Sequence, residues 1–383
     1  MRILHTADWH LGRVLHGASL LDDQAHLLAQ FVDLARDVQP DVVVIAGDVY
    51  DRSVPPAPAV DLLDEVLSRL VRDIGLKVVV IAGNHDSPER LSFGARLLRS
   101  SGLILAGSPA DGLAPLVLDD DHGPVRIYPL PFLEPAVVRH HLLQPDLLGI
   151  QAATAAMLDA IRAAHPKGER SVVVGHGFVS GGVESESERP LALGGSGCVD
   201  AAVFQGFDYV ALGHLHRPQK VSQGVRYAGS LMRYSFSEAD HDKAVSVVDL
   251  GPERACEVQS VKLSPRRQVR VVTGRLAQVL EGAAADPAAQ DYLSVILLDE
   301  EPMFDAMGKL RAVYPNVLHI ERPILQAASG AVGARVDHRK VSDMDLFASF
   351  FADVTGKALD DGQRGGLVGV LQRVENAARE VEA

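Results

Sequence analysis

The sequence predicts an α/β protein whose short buried strands alternate with amphipathic helices. Two observations over roughly the first 250 residues lead to this class: runs of valine, isoleucine and leucine recur between segments of helical periodicity, and metal-ligand types of side chain follow several of these runs. A third observation is a second alternation of strand and helix patterns after Pro265. Such alternation is typical of sheets whose strands are joined by helices.

The strands and helices of the first part follow from local pattern. Buried strands are predicted at 42–46, 78–82, 171–174 and 208–212, where β-branched and other apolar residues dominate. Helices are predicted at 20–38, 58–72, 88–99 and 152–164. The first helix carries Leu27, Leu28, Phe31 and Ala35 on one face and is ended by Pro40. Residues 180–198, rich in glycine, serine and glutamate, are predicted to form a polar surface loop.

The pattern changes near Pro265. Strands at 268–273, 292–298 and 316–321 are separated by helices at 276–282 and 302–313, which predicts a compact β-α-β-α-β unit. A loop is expected at 326–340, followed by two amphipathic helices at 343–354 and 362–379. The chain is therefore divided into a first domain over 1–260, a small domain over 265–325 and a C-terminal helical hairpin within 341–383.

Composition limits the classes of function. The formal net charge of −13 argues against a protein that holds nucleic acid through its overall field, although a local basic face remains compatible with a nuclease. The densest basic stretch, Lys262, Arg266, Arg267 and Arg270, is either such a face or a solvated linker. No apolar run approaches the ~18 residues of a membrane helix, and no signal peptide is evident. We therefore expect a cytoplasmic protein without membrane contact.

Five segments share one arrangement, in which an apolar strand and a turn are followed by side chains that can bind a metal ion. They contain Asp8-Trp9-His10, Gly47-Asp48, Gly83-Asn84-His85-Asp86, Gly175-His176 and Gly213-His214-Leu215-His216. Each segment alone is compatible with an ordinary turn, cap or surface histidine. Side chains just past the carboxyl ends of strands converge on one crevice, however, and the preceding glycines let the backbone turn sharply. Together, the segments predict one site.

The ligand types of this site point to phosphoryl chemistry. The predicted metal ligands are Asp8, His10, Asp48, Asn84, His176, His214 and His216. Carboxylate, imidazole and amide ligands without a thiolate suit manganese, iron or zinc rather than a structural cysteine-type zinc site. Two cations about 4 Å apart can clamp the attacking and leaving oxygens of phosphoryl transfer, and a carboxylate is the natural bridge between them.

The order of these motifs resembles that of the calcineurin-like metallophosphoesterases over about residues 1–250. More closely, Asp8-Trp9-His10-Leu11-Gly12, Gly47-Asp48-Val49-Tyr50-Asp51 and Gly213-His214-Leu215-His216 resemble the SbcD family of nucleases. The resemblance implies a metallophosphoesterase-type β-sandwich flanked by helices, with a small α+β domain that caps DNA and a C-terminal helical hairpin.

The resemblance also implies roles for individual residues. Asp8, His10, Asp48 and His216 would hold one metal ion, and Asp48, Asn84, His176 and His214 the other, so that Asp48 bridges the two. The family implies manganese for both. His85 is implied as the catalytic histidine, which stabilises the transition state or protonates the leaving oxygen, and Asp86 is expected to orient its ring.

The implied function is that of the nuclease subunit of a DNA double-strand-break repair complex. Such a subunit would act on duplex ends, hairpins and single-stranded DNA, and an SbcC-type ATPase would dock on the C-terminal helices. A homodimer is expected through helices near 58–99, where apolar residues lie on more than one face. Two alternatives remain open: a phosphatase or phosphodiesterase acting on a small molecule or phosphoprotein, and a catalytically silent scaffold.

Overall fold

The computed structural model describes residues 1–188, 197–252, 255–301 and 303–323, together with the isolated positions 348, 351, 359, 360, 362 and 363. The predicted loop at 326–340, nearly all of the predicted C-terminal hairpin and residues 189–196 of the predicted polar loop lie outside the described residues. In the part of the chain that is described, no helix is long and apolar enough to cross a membrane.

The first central sheet has six strands, in the order β16, β15, β1, β4, β5 and β6. These are β1 (Arg2–Thr6), β4 (Val42–Ala46), β5 (Lys77–Ile81), β6 (Leu103–Ala106), β15 (Val245–Leu250) and β16 (Cys256–Val261). Strands β1, β4, β5 and β6 run parallel, whereas β15 is antiparallel to both of its neighbours. The strands predicted at 42–46 and 78–82 are confirmed, the second with a shift of one residue.

The second central sheet also has six strands, in the order β13, β14, β12, β9, β8 and β7. These are β7 (Leu116–Asp120), β8 (Gly123–Pro129), β9 (Arg170–His176), β12 (Tyr209–Gly213), β13 (Gln219–Ser222) and β14 (Val225–Tyr227). The four inner strands are parallel, and the outer strands β7 and β13 are antiparallel to their neighbours. The predicted strands at 171–174 and 208–212 correspond to β9 and β12.

The helices of this part are α1 (Leu21–Val38), α2 (Ala57–Ser68), α3 (Pro88–Leu91), α4 (Ala95–Leu98), α5 (Pro109–Gly112), α6 (Pro135–Leu142) and α7 (Gly149–Ala164). Helix α1 matches its prediction, and α2 continues as a π-helical turn over Arg69–Asp73. The prediction of a single helix at 88–99 is wrong. The chain breaks between α3 and α4 because Gly94 adopts a left-handed φ of 74°, which does not continue a helix.

The two central sheets pack face to face, and helices cover their outer faces. Along β4, Val42 and Val44 share an apolar cluster with Val172 of β9, whereas Val43 and Ile45 belong to the cluster that contains α1. Because both faces are covered, every residue of β4 is buried, which explains its unbroken apolar sequence. Helix α7 covers the second sheet in the same way. The predicted sandwich flanked by helices is confirmed.

Short elements complete this part. Two ribbons are formed by β2 (Val14–Leu15) with β3 (Ala18–Ser19) and by β10 (Phe178–Val179) with β11 (Cys198–Val199). Single 3₁₀ turns occur at Arg99–Ser101, Ala201–Phe204 and Phe236–Glu238.

A small parallel sheet follows near Pro265, as the sequence predicts. It contains β17 (Val269–Gly274), β18 (Tyr292–Leu297) and β19 (Val317–Glu321), joined by α8 (Leu276–Ala283) and α9 (Ala306–Arg311). It has its own apolar core, which includes Leu293, Val295 and Leu310. The Asp23 carboxylate of α1 accepts hydrogen bonds from Arg267 at 2.9 Å and from the Tyr292 hydroxyl at 2.8 Å. The small sheet is thereby attached to α1.

The chain forms two compact units. One contains Met1–Leu297 and Met303–Glu321, and thus both central sheets and the small sheet. The other contains Leu298–Pro302 and Arg322–Ala383. Within the second unit, the Arg322 guanidinium donates to the carbonyl oxygens of Asp299 at 3.1 Å and Glu301 at 2.7 Å.

Candidate metal centre

The predicted site residues lie where five strands of the two central sheets end. Strands β1, β4 and β5 of the first sheet and β9 and β12 of the second each end at, or just before, a residue of the site. The loops after β1 and β4 are hydrogen-bonded to each other, with the Asp8 N–H donating to the Gly47 carbonyl at 3.1 Å and the His10 N–H to the Asp48 carbonyl at 2.9 Å. Parallel strand direction therefore brings distant parts of the sequence to one edge, as expected.

Two glycines allow the sheets to approach closely here. A Cβ atom on Gly213 would lie 1.9 Å from the Ala46 carbonyl oxygen, and one on Gly47 would lie 2.3 Å from His176 Nδ1. Gly47 also has a left-handed φ of 86°. The sequence predicts sharp turns at these glycines. The structure adds a second reason for them, which is that any side chain would collide with the opposite sheet.

Four predicted ligands have an unusual backbone conformation. The φ angles are 54° for Asp8, 45° for His10, 49° for Asp48 and 107° for His214. Non-glycine residues in this region cost of order 1–3 kcal/mol each and persist only where the surroundings hold them. One such restraint is visible, since the His214 N–H donates to both oxygens of the Asp8 carboxylate, at 2.9 and 3.1 Å.

The first candidate ligand group contains Asp8, His10 and His216. All three are buried, and His10 Nε2 lies 3.0 Å from His216 Nε2. The other nitrogen of His216 faces the Ser187 hydroxyl at 2.6 Å and a Glu238 carboxylate oxygen at 3.3 Å. Because a carboxylate only accepts, Nδ1 of His216 carries the proton and Nε2 keeps its lone pair for the site.

The second candidate ligand group contains Asp48, His176 and His214, with Asn84 beside them. The Asn84 side-chain oxygen lies 3.0 Å from His176 Nε2 and 3.1 Å from His214 Nδ1. His176 Nδ1 donates to the Ala46 carbonyl at 2.8 Å, so Nε2 is the nitrogen that it offers to the site.

Asp48 belongs to the second group and also lies close to the first. Its Oδ2 atom is 3.6 Å from His10 Nε2 and 3.4 Å from His176 Nε2. Its Oδ1 atom accepts a hydrogen bond from the His85 N–H at 2.9 Å. A carboxylate in this position can contribute to both groups at once.

The charges of the site depend on one another. Burial opposes the ionisation of Asp48, but the neighbouring His176 ring keeps the pKa of Asp48 well below its ordinary value. Burial likewise opposes the charge on His176, yet the Asp48 carboxylate raises the pKa of His176 to about 9. Burial lowers the pKa of His10 and brings the pKa of His214 to about 3. His10 and His214 are therefore neutral and can offer lone pairs.

The donor set fits divalent cations. Two buried ring nitrogens have no hydrogen-bond partner among the described residues: His214 Nε2, and His10 Nδ1, which faces the Asp51 carboxylate at 3.7 Å rather than Asp48 or His216. Buried polar atoms are normally paired, so unsatisfied nitrogens call for an explanation such as a bound ion. Nitrogen and oxygen donors converge around both groups without a thiolate, as intermediate or hard divalent cations prefer.

The two predicted catalytic residues, His85 and Asp86, have different hydrogen-bond partners and do not contact each other through a hydrogen bond. His85 Nδ1 donates to the Asp51 carbonyl at 2.8 Å, and its ring packs edge-on against His10 with centroids 4.7 Å apart. Asp86 was expected to orient this ring, and that expectation is wrong. Its carboxylate instead accepts hydrogen bonds from the backbone N–H groups of Val49, Tyr50 and Gly83, between 2.9 and 3.1 Å. Asp86 therefore fixes the loops, while the Asp51 carbonyl orients His85.

Several residues around His216 could not be identified from the sequence. The Glu238 carboxylate is fully buried and pairs with Lys243 Nζ at 2.5 Å. The Glu188 carboxylate accepts from the His216 N–H at 2.7 Å, and Ser187 hydrogen-bonds both His216 and Glu238. Ser187 and Glu188 fall in the stretch predicted to be a polar surface loop, so no local signal marked them.

The basic stretch is largely neutralised by carboxylates. Lys262 pairs with Asp242 at 2.7 Å, Arg267 with Asp23 at 2.9 Å, and Arg270 with Asp286 and Asp291 at 2.8 and 2.7 Å. Of the two interpretations left open, a free phosphate-binding face is therefore the less favoured.

Known protein families match two stretches of the chain. The calcineurin-like phosphoesterase family matches residues 1–218, and the SbcD C-terminal family, described as the type 5 capsule protein repressor C-terminal domain, matches residues 265–355. A relative from Staphylococcus saprophyticus, the SbcD subunit of the nuclease SbcCD, is 33% identical over 364 residues, which cover 95% of this chain and 96% of that protein. The chain belongs to the SbcD family of nuclease subunits.

A second SbcD-family relative, from Staphylococcus epidermidis, is 31% identical over 364 residues, with 95% of this chain and 96% of that protein covered. Among solved structures, a dimetal phosphatase from Danio rerio is 15% identical, covers 69% of this chain and 99% of its own, and has a TM-score of 0.38. So distant a structural likeness carries no conclusion about function.

Membership of the SbcD family makes the chain a metal-dependent hydrolase of the calcineurin-like phosphoesterase superfamily. The resemblance inferred from the motifs is thus confirmed. The structure brings the seven predicted ligands together at one edge of the sandwich, and the role of each as a ligand stays a prediction.

Proposed function

We propose that this SbcD-family chain is the nuclease subunit of a DNA double-strand-break repair complex, and that it hydrolyses phosphodiester bonds at a dinuclear centre. One observation carries the proposal. Two buried groups of ligand-type side chains meet at Asp48, whose Oδ2 is 3.4 Å from His176 Nε2 of its own group and 3.6 Å from His10 Nε2 of the other. Such an arrangement suits two cations that share one carboxylate.

The proposed ligand sets follow from these distances and from the family motifs. Asp8, His10, Asp48 and His216 hold one cation, and Asp48, Asn84, His176 and His214 hold the other. When bound, two divalent cations supply charge stabilisation to the phosphate and position both the attacking and the leaving oxygen. Manganese is proposed as the cation on family grounds, since the donor types alone suit several metals.

His85 is proposed as the proton carrier of the reaction. Because its Nδ1–H donates to the Asp51 carbonyl, Nε2 is the ring position that can hold or release a proton. The Asp51 side chain is fixed in turn by Arg13, at 3.0 Å. A ring held in this way can protonate a leaving oxygen without first having to reorient.

DNA is proposed as the substrate, with double-stranded ends, hairpins and single strands as its forms. The names of the two staphylococcal SbcD relatives, which match nearly the whole length of the chain, support a nuclease. An SbcC-type ATPase is proposed as the partner, docked on the helices predicted within 341–383, and a homodimer as the working form. In this division, 1–260 is the nuclease domain and 265–325 the part that caps the DNA.

One experiment separates the proposed function from its alternatives. The full chain, stripped of metals and resupplied with Mn²⁺, is offered single-stranded DNA, blunt duplex DNA, p-nitrophenyl phosphate and bis-p-nitrophenyl phosphate in parallel. We expect cleavage of single-stranded DNA and of the diester, loss of both with EDTA, and little hydrolysis of the monoester. Hydrolysis of the monoester with DNA left intact would favour a phosphatase. Inactivity on every substrate would favour a silent scaffold.

A further inference from the structure

The loop that carries His10 is held from behind by Gln24 of α1. The Gln24 Nε2 donates to the carbonyl oxygens of Trp9 at 2.9 Å and of His10 at 2.8 Å. The Gln24 Oε1 accepts from the Gly12 N–H at 3.1 Å. Because the carbonyls need a donor and the N–H needs an acceptor, these partners also fix which end of the amide carries nitrogen.

Tyr234 supports the same loop from another direction. Its hydroxyl donates to the Trp9 carbonyl at 2.5 Å and lies 3.2 Å from Gln24 Nε2. Its ring packs edge-on against the rings of His10 and His216, with centroids 5.5 and 5.6 Å away. Both Gln24 and Tyr234 are about 2% exposed. The loop therefore contacts a buried polar clamp, formed by Gln24 and Tyr234, rather than solvent.

The clamp holds the backbone at His10, which has an unfavourable conformation. His10 has a left-handed φ of 45°, which its own side chain disfavours. Gln24 supplies one of two hydrogen bonds to each carbonyl, because the Trp9 oxygen also accepts from the Tyr234 hydroxyl at 2.5 Å and the His10 oxygen from the Arg13 N–H at 3.0 Å. Replacing Gln24 leaves the buried Gly12 N–H without its acceptor and removes one of two donors from each carbonyl, so the restraint on the backbone that carries the His10 ring is weakened.

We propose that Gln24 and Tyr234 are positioning residues, which set the affinity of the candidate group formed by Asp8, His10 and His216 for its cation. Neither residue belongs to any of the ligand groups. Gln24 acts through the backbone of Trp9, His10 and Gly12, and Tyr234 through the Trp9 carbonyl and its ring contacts with His10 and His216. The inference rests on the proposed dinuclear centre. Residues that orient metal ligands commonly change metal affinity 10- to 100-fold when they are replaced.

A neighbouring residue separates positioning from general stability. Asp23 precedes Gln24 on the same turn of α1 and is equally buried, with 1% of its surface exposed. Its hydrogen bonds go to Arg267 and Tyr292 of the small sheet. Replacing Asp23 therefore removes buried hydrogen bonds from the same turn but leaves the clamp on the His10 loop intact.

The test is a Mn²⁺ titration of the metal-stripped full chain, with free Mn²⁺ followed by electron paramagnetic resonance. The wild-type protein is expected to bind two cations. Gln24→Met, which keeps the length of the side chain but cannot donate, is expected to bind one of them at least about tenfold more weakly. Tyr234→Phe, which loses a single oxygen, is expected to weaken the same cation by about threefold. Asp23→Ala should melt earlier and yet keep both affinities within about twofold.

A second readout does not involve the metal. Hydrogen exchange at the Gly12 amide, which donates to Gln24 Oε1, should become faster in Gln24→Met and stay slow in Asp23→Ala. Unchanged affinities in Gln24→Met, or equal losses in Gln24→Met and Asp23→Ala, would overturn the inference. If Gln24→Met does not fold, Tyr234→Phe decides it by the same comparison. A wild-type protein that binds fewer than two cations would instead overturn the proposed function.

Discussion

The Oδ2 atom of Asp48 lies 3.4 Å from Nε2 of His176, although the two residues belong to different sheets. Asp48 follows β4 of the first sheet, and His176 ends β9 of the second. The candidate site therefore exists only when the sandwich is assembled. Cations that bind both residues must stabilise the packing of the two sheets, because such ligands are not brought together in the unfolded chain.

Replacing His85 should separate chemistry from metal binding. We expect His85→Leu to abolish DNA cleavage while the protein still binds close to two cations, because the ring is assigned to neither ligand set. Metal content after gel filtration and a nuclease assay on the same sample provide the check. His122→Leu, the same change at an exposed histidine, is the matched control and should keep both properties. Loss of a cation from His85→Leu would contradict the assigned role.

Metal affinity should increase with pH because of His176. The pKa of His176 is raised to about 9 by the Asp48 carboxylate against the opposing effect of burial, so the ring is protonated at neutral pH and a cation must displace that proton. In the protein without cations, the stabilising pair is complete below the ordinary value of 6.5 and is lost as the pH rises through about 9. Because burial also raises the pKa of the ligand Asp8, apparent Mn²⁺ affinity should thus increase by at least about tenfold per pH unit between pH 6.5 and 8.5.

Calorimetry provides the direct check on that proton. Mn²⁺ titrations at pH 7.5 in two buffers with different heats of ionisation should reveal release of at least one proton on binding. His214, whose pKa is about 3, should contribute none. An affinity that does not change with pH would show that His176 is neutral or is not a ligand.

The exposed apolar surface after β5 should mediate dimerisation. Phe93 is 85% exposed and Leu97 is 81% exposed, whereas Leu63 and Val66 of α2 are buried in the core. The apolar surface therefore lies more on the 88–99 segment than on α2, on which the sequence prediction also relied. Replacing both Phe93 and Leu97 by Asp should give a monomer in sedimentation velocity at micromolar concentration.

The matched control for this pair is Phe304→Asp, which changes a phenylalanine that is 88% exposed in the loop before α9. It should leave the oligomeric state unchanged. A wild-type protein that sediments as a monomer would refute the proposed dimer. A double variant that remains dimeric would show that the interface lies elsewhere on the protein.

Removing residues 341–383 should uncouple the chain from its ATPase. Phe347, Phe350, Phe351 and Val354 are spaced as one stripe of a predicted helix, which suits docking in an apolar groove. The truncated chain should lose co-purification with the SbcC-type ATPase and ATP-stimulated digestion of duplex DNA, while Mn²⁺-dependent cutting of single strands survives. The full chain with both Phe347→Ser and Phe350→Ser should show the same two losses as the truncated chain. If truncation abolishes both activities and lowers the melting temperature strongly, the segment is part of the core.

The candidate site was predictable because its signals are local. Each ligand follows an apolar run and, in most cases, a glycine, so a short stretch of sequence marks both the strand end and the ligand. Strand direction then determines which ends meet. The same locality explains why the small parallel sheet near Pro265 was predicted almost residue by residue.

The features that the sequence did not predict depend on tertiary contacts. Glu238 and Lys243 look like ordinary surface residues in the sequence, and only the fold buries them as a pair beside His216. In the sequence, Asp86 is a plausible partner for the adjacent His85. In the structure, the loop geometry directs its carboxylate towards backbone N–H groups instead. Outer strands such as β7 were missed as well, because half-exposed residues weaken the apolar pattern.

A crystal of the full chain soaked in Mn²⁺ and measured at an anomalous wavelength would show directly whether Asp48 bridges two cations. We expect two anomalous peaks about 4 Å apart, with Asp48 Oδ2 shared between them, Asp8, His10 and His216 on one side, and Asn84, His176 and His214 on the other. Asp48→Asn under the same conditions should show neither peak at full occupancy, because a neutral amide bridges poorly. A single peak in the wild-type crystal, or two peaks that Asp48 does not bridge, would contradict the dinuclear centre.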